Sequence, residues 1–145
     1  MTANDLLKRQ IGGLFSVSAN TSVHECAALM SEKHVGALVV LDAKDNLIGI
    51  VSERDIIRIL SKKQISDSTT VKEIMVPSEK IISSQKTDSI TDVMEKMNEN
   101  YIRHIVIKDG DKLLGLGSIR DVVRMVLDST LLENQQLKDY VYQAK

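Results

Sequence analysis

The chain has 145 residues, 43% of them hydrophobic, with one cysteine and a formal charge of −1 from 19 basic against 20 acidic side chains. A lone Cys26 forms no internal bridge, the N-terminal MTANDLLKRQIGG lacks a secretory apolar run, and the longest apolar stretch, 37–41, is far short of the roughly 20 residues of a membrane span, so the expectation is a cytoplasmic protein outside the membrane. Near-neutral charge supplies no basic stripe for nucleic acid, and Phe15, Tyr101, Tyr140 and Tyr142 leave almost nothing on which a base could stack.

In chain order, a short leading strand at 14–17 precedes a helix whose apolar stripe is Val23, Cys26, Ala27 and Met30, with Ser22-x-x-Glu25 as its capping box. Two β-branched runs follow, 35–41 and 47–51, joined by the polar turn 42–46, and they read as an antiparallel pair. A second helix covers 53–62. Residues 63–80 are a polar linker holding the only proline, Pro77, with 71–76 able to form one helical turn closed by it. The series then starts again: a strand at 81–84, a helix on Ile90, Val93, Met94 and Met97 capped by Ser89-x-x-Asp92, strands at 102–107 and 113–116, and a helix from 119 onward.

The recurrence is a true internal repeat. Residues 47–60 lie over 113–126 at a spacing of 66, with six of fourteen positions identical and six more exchanging one apolar residue for another. Residues 22–42 lie over 89–109 at a spacing of 67. The division is therefore a first repeat at 5–62, the linker 63–80, a second repeat at 81–127 and a C-terminal helix at 128–145, all within one module spanning 1–145. Each repeat is βαββα in an α/β (α+β) fold. A unit of about 60 residues is marginal alone, so the two are expected to fold together.

The doubled chemical signal is Gly49-Ile-Val-Ser52-Glu-Arg54-Asp55 and Gly115-Leu-Gly-Ser118-Ile-Arg120-Asp121, each at a strand-to-helix turn. One reading is purely local: Ser52 and Ser118 are helix N-caps, and the aspartates complete capping boxes. The other uses the same geometry for a ligand. A helix N-terminus attracts phosphate, glycine admits close approach, serine donates, arginine adds charge, and a carboxylate accepts ribose hydroxyls.

With these residues in place, the chain resembles a tandem pair of cystathionine β-synthase (CBS) domains over roughly residues 5–127, and Gly-h-x-Ser/Thr-x-x-Asp resembles that family's ribose-phosphate motif. The resemblance implies a pseudo-two-fold pair with two clefts for adenine nucleotides: AMP first, with ADP, ATP, NAD or S-adenosylmethionine as alternatives. It places Ser52 and Ser118 on phosphate, Asp55 and Asp121 on ribose, and Val17, Val35, Ile82 and Ile102 against adenine. It also makes Arg103 and His104, where the first repeat has Gly36 and Ala37, the charge-recognition pair of two unequal clefts.

No catalytic constellation competes with this reading. His24, His34 and His104 lack metal-ligand spacing, Cys26 lies on a core stripe, and neither a nucleophile elbow nor a Walker lysine is present. Gly115-Leu-Gly117 lacks the third glycine and the βαβ crossover of a dinucleotide fingerprint. The expected function is that of a stand-alone, non-catalytic regulator that senses adenine nucleotides and modulates a partner protein. The alternative is an interaction scaffold with vestigial clefts. No glycine or proline interrupts 118–145, whose apolar face needs a partner, and the resemblance favours a homodimer contacted by that tail.

Overall fold

A computed structural model describes residues 1–10 and 13–144. It contains six α-helices and seven strands among the described residues, in two compact units, one formed by 13–81 and the other by 1–10 with 82–144.

In the unit formed by 13–81, β1 (Ser16–Val17), β2 (Ala37–Leu41), β3 (Leu47–Ser52) and β4 (Val76–Pro77) lie side by side in that order. β1 runs parallel to β2, and the two remaining pairings are antiparallel. Helices α2 (Val23–Lys33), α3 (Glu53–Ser61) and α4 (Val71–Ile74) complete the unit. β2 is a continuous apolar run because both of its faces are buried. Leu38 and Val40 join Cys26, Met30, Val51 and Val71 in the core, while Val39, on the opposite face, is also fully buried. The turn between β2 and β3 is closed by Asp42, whose Oδ1 accepts the N–H groups of Lys44 and Asn46, both at 2.9 Å.

In the unit formed by 1–10 and 82–144, β5 (Ser83–Gln85), β6 (His104–Asp109) and β7 (Lys112–Ser118) form the sheet, with β5 parallel to β6 and β6 antiparallel to β7. Gly110, at φ +60°, makes the tight turn between β6 and β7. Helices α5 (Ile90–Glu99) and α6 (Ile119–Gln143) pack here together with α1 (Ala3–Arg9). Ala3 and Leu6 of α1 are fully buried among Ile90, Val93, Met97, Ile105, Ile107, Val122 and Met125.

Compactness thus departs from the order of the repeats. Helix α1 lies at the start of the first repeat but packs with the second, and α4, inside the linker, contributes Val71 to the core of the first. The two helices are themselves repeat equivalents. Thr2-x-x-Asp5-Leu-Leu7 lies over Thr70-x-x-Glu73-Ile-Met75 at a spacing of 68, and each begins with a capping box. Main-chain bonds from Ala3 N–H to Asp88 O at 2.9 Å and from Ile90 N–H to Met1 O at 3.0 Å fasten α1 to its unit. On the other side, Val71 N–H donates to Thr21 O at 2.8 Å, and β4 extends the sheet beyond β3. The linker segment 71–77 is therefore a structural part of the first unit, and α4 ends before Pro77, with Val76 in a strand.

Candidate functional site

Each repeat ends its hairpin at a strand-to-helix turn where serine caps the following helix. At the β3–α3 turn, Ser52 donates to Asp55 Oδ2 from both N–H, at 2.8 Å, and Oγ, at 3.1 Å. Arg58, one turn along α3, donates from Nη1 to Asp55 Oδ1 at 3.2 Å. Asp55 is only 6% exposed, so both oxygens of this buried carboxylate are committed to its own helix. Glu53 N–H donates to Gly36 O at 2.9 Å, and Ala37 pairs with Ser52 across the sheet, so the residues beside this turn carry no charge.

The β7–α6 turn has the same frame with different contents. Ser118 Oγ donates to Asp121 Oδ2 at 2.8 Å and accepts the Asp121 N–H at 3.2 Å. Gln10, following α1, donates from Nε2 to Leu116 O at 2.8 Å and to Asp121 Oδ2 at 3.3 Å. Asp121 is half-buried, and among the described residues no hydrogen bond reaches its Oδ1. His104 is the direct register partner of Ser118, while Arg103 accepts the Ile119 N–H at 2.8 Å through its carbonyl. Antiparallel pairing thus brings Arg103 and His104 alongside Ser118 and the positive end of the 25-residue α6. Arg103 and Arg120 are exposed and His104 is half-buried.

The glycines of the two motifs admit neighbouring chain. A Cβ on Gly49 would lie 2.5 Å from Met75 Sδ and 3.0 Å from Val76 O. On Gly115 it would lie 2.6 Å from Leu7 Cδ2, and on Gly117 2.8 Å from Leu6 Cδ2. Leu7 and Met75 are the equivalent residues of α1 and α4, so Gly49 and Gly115 answer the same demand: room for the helix that completes the unit. The proposed aliphatic walls divide as well. Val17 and Val35 pack at the margin of one core and Ile102 at the margin of the other, whereas Ile82, just before β5, is 36% exposed. Arg54 is exposed on the first turn of α3.

Two residues of these clusters escaped the sequence reading. Arg58 carries a signal, since it recurs as Arg124 in the repeat, although among the described residues no bond joins Arg124 to Asp121. Gln10 carries none, because its role depends on α1 packing against a sheet more than a hundred residues away. Cys26 is buried, and burial first, then the nearby Asp55 carboxylate, pushes its thiol up to about 11, far from thiolate chemistry. Among the described residues no cluster of three metal-ligating side chains occurs, and no helix is long and apolar enough to cross a membrane.

The CBS domain family model matches twice, at residues 3–62 and 71–128. The CBS domain-containing protein CBSX3, mitochondrial, of Arabidopsis thaliana is 32% identical over 97% of this chain and 71% of its own length. A candidate signal-transduction protein with CBS domains from Burkholderia ambifaria superposes with a TM-score of 0.82 at 36% identity, covering 88% of this chain and 95% of that one. The CBS domain protein PAE2072 of Pyrobaculum aerophilum, complexed with AMP, superposes with a TM-score of 0.73 at 25% identity over 83% of this chain and 89% of that one.

Proposed function

The chain belongs to the CBS domain family, and from that membership we propose that it binds an adenine nucleotide, AMP before ADP, ATP, NAD(H) or S-adenosylmethionine, and that binding modulates a partner protein without catalysis by the chain. The observation that carries the proposal is the β7–α6 turn: a capping serine, a carboxylate with an open oxygen, and an Arg-His pair across the strand, in a fold shared with a protein complexed with AMP. Phosphate meets the α6 N-terminus, Ser118 and Arg103. Ribose hydroxyls donate to Asp121, and adenine lies against Ile82 and Ile102.

The β3–α3 turn is the weaker candidate. Ser52, Arg54 and Asp55 repeat the motif, with Val17 and Val35 at the margin of the core of the same unit, but Asp55 is saturated and Gly36 and Ala37 bring no charge. Such a sensor fits a reducing compartment such as the cytoplasm, where Cys26 stays a free thiol. Titration calorimetry with AMP, ADP, ATP, NAD(H) and S-adenosylmethionine tests the proposal. Saturable heat with AMP, exceeding that of the others, supports it, and no heat from any of them at millimolar concentration overturns it.

A further inference from the structure

The carboxylate proposed to hold ribose is already in contact with a residue from near the start of the chain. Asp121 Oδ2 accepts Ser118 Oγ at 2.8 Å and Gln10 Nε2 at 3.3 Å, and the same Gln10 nitrogen donates to Leu116 O at 2.8 Å. A carboxylate oxygen carries about two lone-pair positions, so Oδ2 is full, while among the described residues no hydrogen bond reaches Oδ1. Ribose offers two adjacent hydroxyls, and a carboxylate holds such a pair best with one hydroxyl on each oxygen. The first can go to Oδ1. The second meets an oxygen that is occupied.

Of the two donors on Oδ2, Gln10 is the one able to leave. Ser118 begins α6, and its Oγ also accepts the Asp121 N–H at 3.2 Å, so the helix itself fixes its position. Gln10 makes the longer bond, its side chain is exposed, and water can take over its amide. The helix it follows is anchored at the far end: Ala3 and Leu6 are fully buried, and main-chain bonds join Ala3 N–H to Asp88 O and Ile90 N–H to Met1 O. Beside Gln10, the tie between Arg9 and Asp128 is a half-exposed ion pair that contributes little. The first unit is closed differently. Asp55 is filled by Arg58 of its own helix, and Ile50, the equivalent of Leu116, pairs along the main chain with Val76 of β4.

We infer that Gln10 competes with the nucleotide for Asp121: the second ribose hydroxyl displaces the Gln10 amide from Oδ2, so that full engagement of ribose and docking of the end of α1 exclude each other. The inference rests on the assignment of the nucleotide to the β7–α6 turn and adds to it a residue that sets the discrimination between ribose and its deoxy forms.

Titration calorimetry compares the wild type with Gln10→Ala and with Gln10→Met, which keeps the length of the side chain without a donor, using AMP, 2′-deoxy-AMP and 3′-deoxy-AMP. Both variants should bind AMP about 3- to 10-fold more tightly, the factor that one neutral hydrogen bond contributes. Their affinity for either deoxy nucleotide should stay that of the wild type, because a single hydroxyl is served by Oδ1. AMP affinity unchanged or weakened in the variants would overturn the competition and leave the nucleotide assignment standing. A gain of equal size for all three nucleotides would also overturn it, marking Gln10 as an obstruction to base or phosphate. Absence of AMP binding in wild type and variants alike would overturn the nucleotide assignment and the inference with it, whereas AMP bound by the variants and not by the wild type would support the competition.

Discussion

The two strand-to-helix turns share a motif and differ in what their aspartates are free to do. Asp55 accepts from Ser52 twice and from Arg58, is almost wholly buried, and has neutral Gly36 and Ala37 beside it. Asp121 is half-buried, takes its bonds on a single oxygen, and has Arg103 and His104 across the strand. On the proposed reading, capping and ligand binding are one arrangement with its carboxylate either saturated or left open. The repeat makes the contrast visible because both aspartates stand three residues after an equivalent serine at an equivalent strand-to-helix turn.

Removing the carboxylates should separate the two roles most strongly. Asp55→Ala should cost about 2 kcal/mol in denaturant unfolding, because it leaves the part-buried Ser52 N–H without its acceptor, while the exposed Arg58 guanidinium turns to water. Asp121→Ala should cost about 1 kcal/mol, because it removes a half-buried acceptor of Ser118 Oγ and Gln10 Nε2 while the Ser118 cap on the main chain stays in place. Equal costs would dissolve the distinction.

Gly49 and Gly115 sharpen the contrast at the next level. A methyl at Gly49 meets a main-chain carbonyl as well as Met75, whereas at Gly115 it meets only the flexible end of Leu7. Gly49→Ala should destabilise by about 2 kcal/mol and Gly115→Ala by about half that in the same assay.

The leading strands differ too. Ser84 is 1% exposed with no hydrogen bond to its Oγ, and the equivalent residue of the first repeat, at a spacing of 67, is Val17, packed against the core. Ser84→Val should raise stability by about 1 kcal/mol, read as a higher denaturation midpoint.

The smallest expected effect is on pH dependence. The turn before α5 is closed by Asp88, which accepts the Gln85 N–H at 3.0 Å and the Lys96 ammonium at 2.8 Å, while the first repeat closes the same turn with Thr21, accepting the Ser18 N–H at 3.2 Å. The Lys96 hydrogen bond first, against some desolvation, holds the Asp88 carboxyl below its ordinary value. The Ser84 hydroxyl lies close enough to favour the charged form, yet no hydrogen bond forms between them. Because the folded value is the lower one, the stabilisation is complete above the unfolded value of about 4 and is lost as pH falls through the folded value. Asp88→Thr should flatten the acid limb of thermal stability, and Thr21→Ala should leave its slope unchanged.

What the sequence disclosed, and what it did not, follows from range. Helices α2 and α5 were legible from caps and apolar stripes, and the two hairpins from β-branched runs with polar turns between them, all local signals seen twice. Helix α1 was not read, although Thr2-x-x-Asp5 announces it: seven residues with Leu6 and Leu7 as its larger apolar side chains cannot show a period, and tertiary packing of Leu6 holds it in place. In the linker the helical turn at 71–76 was legible but its place in the first unit was not, because Val71 and Met75 are isolated apolar residues whose partners lie in β3 and the core around it. At the site, Ser52, Asp55, Ser118 and Asp121 were legible from the doubled motif, and pairing of His104 with Ser118 followed from the hairpin. The motif glycines suggested space for a ligand, and the structure fills that side of each with its own chain, a contact no local pattern encodes.

The most direct test of the inequality between the two turns is AMP titration calorimetry on the wild type, Asp121→Ala and Arg103→Ala at matched protein concentration. AMP affinity should fall at least ~10-fold in each variant, since each removes a charge-assisted hydrogen bond to the ligand. AMP binding to both variants as tightly as to the wild type would contradict the assignment of the nucleotide to the β7–α6 turn.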